Sequence, residues 1–226
     1  MNRDVYVRLA ERMNLNPVKH PVVEPILNLL KELFNEKEAT LAAEFPVGAH
    51  TAKALSKLLG RDEVELERLL AEMDYKGLIF VAKNKGGEKE YSVLPFEPGL
   101  IELQFLKGKE DAETKKYGQL LSDMGAAEET ELHKLLENPD LAKEVFAKPY
   151  ARYISIEKPI PDKRMAASWE KVSEIVERET SYAVGACSCR VIARGKGDPC
   201  KVQGAPMESC IWFGKAADYL VEREYA

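Results

Sequence analysis

Cysteine is missing from this 226-residue chain until Cys187, so neither a disulfide nor a thiolate metal site can be built before that position. Histidine is scarce: His20, His50 and His133 are the only three, far apart and beside no obvious nucleophile. They read as surface or helix-end residues. No nucleophile–base constellation supports independent catalysis, and the expected set of catalytic residues is empty. No apolar run approaches the ~20 residues of a spanning helix, which excludes membrane insertion. Positive charge is not in surplus either. The net charge is −5, which gives no general attraction to nucleic acid or anionic lipid. Gly195-Lys196-Gly197 lacks the spacing of a phosphate loop. The N-terminus, Met1-Asn2-Arg3-Asp4, runs into a charged amphipathic segment without the apolar core of an export signal, so the cytoplasm is the expected location.

What the chain does have is a late concentration of thiols. Cys187, Cys189, Cys200 and Cys210 all fall close to its C-terminal end. Crowded thiolates are the preferred ligands of iron–sulfur clusters and structural zinc. Scattered structural cysteines and disulfides are the plainer alternatives. Four in one loop-rich stretch argue against the first, and the missing export signal argues against the second. Four-cysteine zinc sites usually present pairs spaced C-x2–4-C. Here the spacing is C-x-C, ten residues, C, nine residues, C. A 4Fe–4S cube accepts ligands from separate loops, so the spacing favours iron–sulfur, with the two-iron form and zinc still open.

The neighbouring residues add support. Gly185, Gly195, Gly197 and Gly204 would let backbone amides approach the sulfides. Arg190, Arg194, Lys196 and Lys201 surround the ligands with only Asp198 opposing them, and such charge would offset an anionic cluster and raise its potential. Cys210 is expected in the first turn of a helix beginning near Pro206, where free amides favour a thiolate.

Cys187-Ser188-Cys189-Arg190, the later Cys200, and Glu208-Ser209-Cys210-Ile211-Trp212-Phe213-Gly214 resemble the C-x-C-R … C … E-x-C-hydrophobic-x-F-G pattern of 4Fe–4S ferredoxin-type proteins. Those proteins occur in anaerobic bacteria and archaea and carry a winged-helix-like N-terminal region. The similarity extends upstream through Leu94-Pro95-Phe96-Glu97-Pro98-Gly99-Leu100-Ile101-Glu102. The resemblance implies one 4Fe–4S cluster on the four cysteines and single-electron transfer. Family members often continue into a module with C-x-x-C-x-x-C repeats. This sequence has no such repeat, so either the chain is a fragment of a longer protein or the expected partner, a redox protein or an additional ferredoxin module, is on another subunit.

Apolar periodicity predicts a mainly α fold with a small β-hairpin wing: a winged-helix-like domain over 1–106 and a helical, loop-rich cysteine region over 107–226. Tyr6, Leu9, Ala10 and Met13 mark a first helix. Ile26, Leu29, Leu30 and Leu33 mark a second over Val22–Asn35. Thr51 caps Ala52–Leu59, which Gly60 ends. Asp62–Lys76 follows, with Val64, Leu66, Leu69, Leu70 and Met73 as its stripe, and the runs Leu78–Lys83 and Lys89–Leu94 form a hairpin around Gly86-Gly87. Leu106–Gln119 reads as a linker. Glu128–Leu136, Leu141–Ala147 and Lys163–Glu179 read as helices, and Tyr150–Ile160 as extended. The last helix is expected to bury Cys210, Phe213, Gly214, Ala217, Leu220 and Val221 on one face.

A winged helix invites a DNA-binding reading. The segment that would enter the major groove carries six acids (Asp62, Glu63, Glu65, Glu67, Glu72, Asp74) against Arg68 and Lys76. Phosphates would repel it, so nucleic acid is disfavoured as a partner. A redox-sensing winged-helix regulator and a zinc-stapled interaction module are the alternatives to an electron carrier.

Overall fold

The N-terminal half is assembled from helices whose N-terminal ends are mostly capped by nearby side chains. A computed structural model describes residues 3–16, 18–140, 169–202 and 204–226. Helix α1 (Val5–Met13) starts where the Asp4 carboxylate accepts the Tyr6 N–H, and it buries Leu9, Ala10 and Met13. Helix α2 (Glu24–Leu33) has proline in its first turn and buries Ile26, Leu29, Leu30 and Leu33, as the periodicity predicts. Helix α3 (Glu36–Glu44) was not legible in that periodicity. It forms because the Asn35 side chain accepts the Lys37 and Glu38 N–H groups while Glu38 reaches back to the Asn35 N–H at 2.8 Å. Glu38 is wholly buried, and its second oxygen meets Lys76 Nζ at 2.7 Å, tying α3 to the end of the fifth helix.

Helix α4 (Ala52–Leu59) is capped by Thr51 and ends at Gly60, which has φ 64°. Helix α5 (Glu63–Tyr75), capped by Asp62, buries Leu66, Leu70 and Met73. Val64, expected on that stripe, is 75% exposed. Residues two apart point to different sides of a helix, so Val64 cannot share a face with Leu66. Strands β1 (Ile79–Lys83) and β2 (Lys89–Val93) pair antiparallel from Ile79↔Val93 to Lys83↔Lys89. Asn84 closes the connection by accepting the Gly86 and Glu88 N–H groups. His50 adds a one-residue third strand through reciprocal backbone bonds to Tyr91 at 2.9 and 2.8 Å. Helix, short strand, two helices and hairpin is the order of a winged helix.

Beyond the wing, a turn over Phe96–Leu100 leads into helix α6 (Ile101–Phe105) and the 25-residue helix α7 (Ala112–Leu136). The stretch read as a linker is therefore largely the first turns of α7, which Asp111 caps by accepting the Thr114 N–H. Glycine misled that reading. Gly118 is a helical residue at a close helix crossing, where an added Cβ would lie 3.7 Å from the Ile192 carbonyl oxygen. The predicted helix over Glu128–Leu136 is the end of α7. The expectations for Leu141–Ala147, Tyr150–Ile160 and the start of Lys163–Glu179 lie outside the described residues.

Helix α8 (Trp169–Arg178), strand β3 (Tyr182–Ala186), helix α9 (Ser188–Gly195), strand β4 (Glu208–Phe213) and helix α10 (Gly214–Glu222) complete the fold. Val176, expected on an apolar stripe, is 37% exposed. Helix α10 fastens to the winged-helix part. The buried Tyr219 hydroxyl donates to the Ile79 carbonyl at 2.9 Å, and Arg223 grips both carboxylate oxygens of Asp74. The Tyr225 hydroxyl fills the place where a Cβ on Gly77 (φ 69°) would sit. One continuous set of buried residues runs from Leu9 to Tyr225.

His20 is not the surface histidine its sequence suggests. Its side chain is 10% exposed, its Nδ1 lies 2.6 Å from Glu128 on α7, and its ring packs on Phe96 at 4.8 Å. Burial raises the neighbouring Glu97 carboxyl above its ordinary range; His20 opposes that shift and Glu102 and Glu128 add to it.

These buried charges make stability sensitive to single substitutions and to pH. Lys76→Met leaves the buried Glu38 carboxylate without its cation and is expected to cost about 3 kcal/mol in urea unfolding. Glu38→Gln, which keeps a hydrogen-bonding shape, is expected to cost about 1 kcal/mol. The folded state holds the Glu97 proton more tightly than the unfolded chain does. Raising the pH from about 4 to about 7 therefore removes stability at this residue. Unfolding free energies measured across that range should fall less steeply in Glu97→Gln than in the parent.

Candidate metal centre

The cysteine region is organised by a β-ladder with a long excursion between its strands. Strands β3 and β4 pair antiparallel as Tyr182↔Phe213, Ala183↔Trp212, Val184↔Ile211 and Gly185↔Cys210, then shift register so that Ala186 faces Glu208. The Cys187 N–H extends the contact by donating to the Met207 carbonyl at 2.8 Å. This pairing sets Cys210 beside the turn that carries Cys187, although a helix and a long connection separate the two in the chain.

Cys187 then becomes the N-cap of α9, its carbonyl accepting the Arg190 and Val191 N–H groups at 2.9 and 3.0 Å. Cys189 lies in the first turn of α9. The ladder sets Cys210 opposite Gly185, two residues before Cys187, so Cys210 lies beside the chain that enters the first turn of α9. Three thiols thus neighbour one helix N-terminus, where first-turn amides have no partner inside the helix. Burial, followed by the neighbouring Cys187, pushes the Cys189 and Cys210 thiols up.

Cys210 occupies a strand, not the first turn of a helix starting near Pro206 as expected; the last helix starts at Gly214. A sequence window cannot see a cross-strand partner, and the β3 ladder claims Glu208–Phe213 before any helix can form. The helix start near Cys210 is that of α9, which Cys187 caps. Of the face assigned to the last helix, Ala217 and Leu220 are buried, whereas Val221 is 52% exposed.

Cys200 stands apart from this trio. It is exposed, in the connection between α9 and β4, where it lines a small cavity with Val202 and Arg190; the Val202 backbone first, then Arg190, hold its thiol below the usual range. Arg190 is itself fixed. Its Nη1 donates to the Pro206 carbonyl at 2.7 Å and to Ser209 Oγ. Among the described residues, no three His, Cys, Asp or Glu side chains close on one point as the ligands of a metal ion do.

The other expected cations are placed differently from Arg190. Arg194 pairs with Glu110 at 2.6 Å, Lys196 is the exposed C-cap of α9, and Lys201 lies 4.0 Å from Asp198 at the surface. Of the four glycines, Gly185 serves packing. A Cβ there would meet Trp212 at 3.3 Å and the Tyr225 carbonyl at 3.4 Å. Gly195 faces Lys115 of α7, while Gly197 and Gly204 take φ 77° and 71° in open space.

Residue-type reasoning passed over Ser188, Ser209 and Glu102. Ser188 is buried and its hydroxyl donates to the Glu102 carbonyl at 3.4 Å, docking α9 on α6; Ser209 receives Arg190. The one signal for the two serines in the sequence is position, each directly preceding a cysteine. No protein family, curated protein or solved structure matches this chain.

Proposed function

We propose that this protein carries one iron–sulfur cluster, of the 4Fe–4S type, on Cys187, Cys189, Cys200 and Cys210 and passes single electrons to a partner protein. The observation that carries the reading is that the β3–β4 ladder brings Cys210 opposite Gly185, beside the segment in which Cys187 caps α9 and Cys189 lies in its first turn. Thiolates are the usual protein ligands of such a cluster, and the four cysteines stand on a turn, a helix, a loop and a strand, where Cys200 would have to move toward the other three to complete it. When bound, the cluster supplies a reversible one-electron couple.

The chain's own residues would tune and hold it. The first-turn amides of α9 direct positive charge toward the ligand sulfurs, which favours the reduced, more negative state. Arg190 is the principal tuning cation because it is fixed beside the site, while Arg194 is paired with Glu110 and Lys196 lies at the far end of α9. Helices α6 and α7 form the platform on which α9 rests. The winged-helix-like part would dock the redox partner, either a separate protein or an additional ferredoxin module, in the cytoplasm.

A redox-sensing regulator is the second reading, favoured by the winged-helix order. Exposed Glu63, Glu65, Glu67 and Glu72 on α5 weigh against contact with phosphates.

Anaerobic reconstitution, followed by iron and labile-sulfide analysis and electron paramagnetic resonance of the reduced protein, tests the proposal. Iron and sulfide in equal amounts, with a reduced-cluster signal lost in Cys187→Ala, is the expected result. Stoichiometric zinc without labile sulfide overturns it in favour of a zinc-stapled module. Retardation of duplex DNA at low salt would move the reading to the regulator.

A further inference from the structure

Helix α5 buries one side and turns the other to solvent. Leu66, Leu70 and Met73 form the buried side. Opposite them Val64, Arg68, Ala71 and Tyr75 recur at i, i+4, i+7 and i+11, the spacing of a single helical stripe. All four are exposed, Val64 by 75% and Tyr75 by 87%. The stripe is about 16 Å long, three turns of helix. Tyrosine and arginine are the residues that most often anchor protein interfaces. Two rows of acids border the stripe, Glu63 and Glu67 on one side and Glu65 and Glu72 on the other. Glu72 lies 3.7 Å from Arg68. The second row also lines a groove of about 1050 Å³, which Leu69 shares with Glu36 and Thr40 of α3.

From this arrangement we infer that the exposed face of α5, with the groove beside it, binds a basic amphipathic helix of a partner protein. The inference rests on the docking role proposed above for the winged-helix part, not on occupation of the cysteines. Apolar side chains of the incoming helix would cover Val64 and Tyr75 and enter the groove at Leu69, the mode of helix-in-groove recognition. Its lysines or arginines would meet the acid rows. Glu63 and Glu67, one turn apart, repel each other until a cation comes between them. Charge selects this occupant. A two-fold pair of these chains would set identical acid rows against each other, and a duplex would set phosphates against them. A cationic helix gains from both rows.

The test uses the full chain, as purified and after reconstitution, with a labelled synthetic helix of about 18 residues that carries leucine on one face and lysine on the other. Its controls are an isomer of shuffled order and a leucine–glutamate counterpart. The leucine–lysine helix should bind in fluorescence anisotropy, with amide shift changes confined to α3 and α5. Val64→Ser with Tyr75→Ser should weaken it about tenfold. Glu65→Gln with Glu72→Gln should weaken it about threefold and flatten its salt dependence. Glu129→Gln with Glu131→Gln, which removes equal charge from α7, should change nothing. All of these positions are exposed, so the variants keep the core intact. Equal binding of either control peptide, or equal weakening by the α7 pair, overturns the inference in favour of general attraction to an acidic protein. Sedimentation showing a dimer that Tyr75→Ser dissolves assigns the face to a second copy and also overturns it. Duplex DNA that produces the same α5 shifts does so too. A chain that loads iron and sulfide but ignores the peptide loses this inference alone. One that binds the peptide without loading them loses only the cluster.

Discussion

The antiparallel pairing of β3 with β4 is the constraint on which the cysteine region depends. Two short strands, separated by a helix and a long exposed connection, zip from Tyr182↔Phe213 toward Gly185↔Cys210. That register decides which residue faces the start of α9. A slip of one residue would turn Cys210 to the opposite face of the ladder and present Ser209 or Ile211 in its place. The shift between Gly185 and Ala186 then re-aims the chain so that Cys187 bonds to Met207 and caps α9. Gly185 fits this point closely: a Cβ there would press on Trp212 at 3.3 Å and on the Tyr225 carbonyl at 3.4 Å.

A two-stranded ladder is marginal alone, and here neighbouring helices hold it. Helix α9 packs on α6 and α7, with Gly118 and Gly195 at the contact between α9 and α7. Helix α10 leaves β4 directly and attaches to the wing and to the end of α5 through Tyr219 and Arg223, and Tyr225 just beyond it closes on Gly77. The Arg223–Asp74 pair is mostly buried, with side-chain exposures of 14% and 16%, and its bidentate geometry fixes orientation as well as proximity. The winged-helix part therefore acts as a foundation for the thiol site. Its α5 surface is acidic, and two of that segment's charges, Asp74 and Lys76, are used internally against Arg223 and Glu38.

Much of the N-terminal architecture was legible because its signals are local. The stripes of α1 and α2, the Thr51 and Asp62 caps, Gly60 and the glycine hairpin each act over a short span of chain. Helix α3 was missed since its determinant is a reciprocal side-chain cap at Asn35 and Glu38, with Ala39, Leu41 and Ala42 too modest a stripe to stand out. The start of α7 was missed because a polar stretch with Gly118 looks like a linker until another helix is seen resting against that glycine. His20 looked exposed for the same reason: its partners, Glu128 and Phe96, lie in distant parts of the sequence.

By itself the amino-acid order determined which groups are available: four late thiols, a helical N-terminal half with a wing, and no net cationic excess. Those properties belong to residue identities and short-range spacing, which no folding event alters. Only the tertiary structure decided that Cys210 arrives on a strand beside the start of α9, and that Cys200 lines a separate small cavity with Arg190. Each of these depends on strand register and helix packing between distant segments, where the hydrogen bonds of one piece of chain are completed by another.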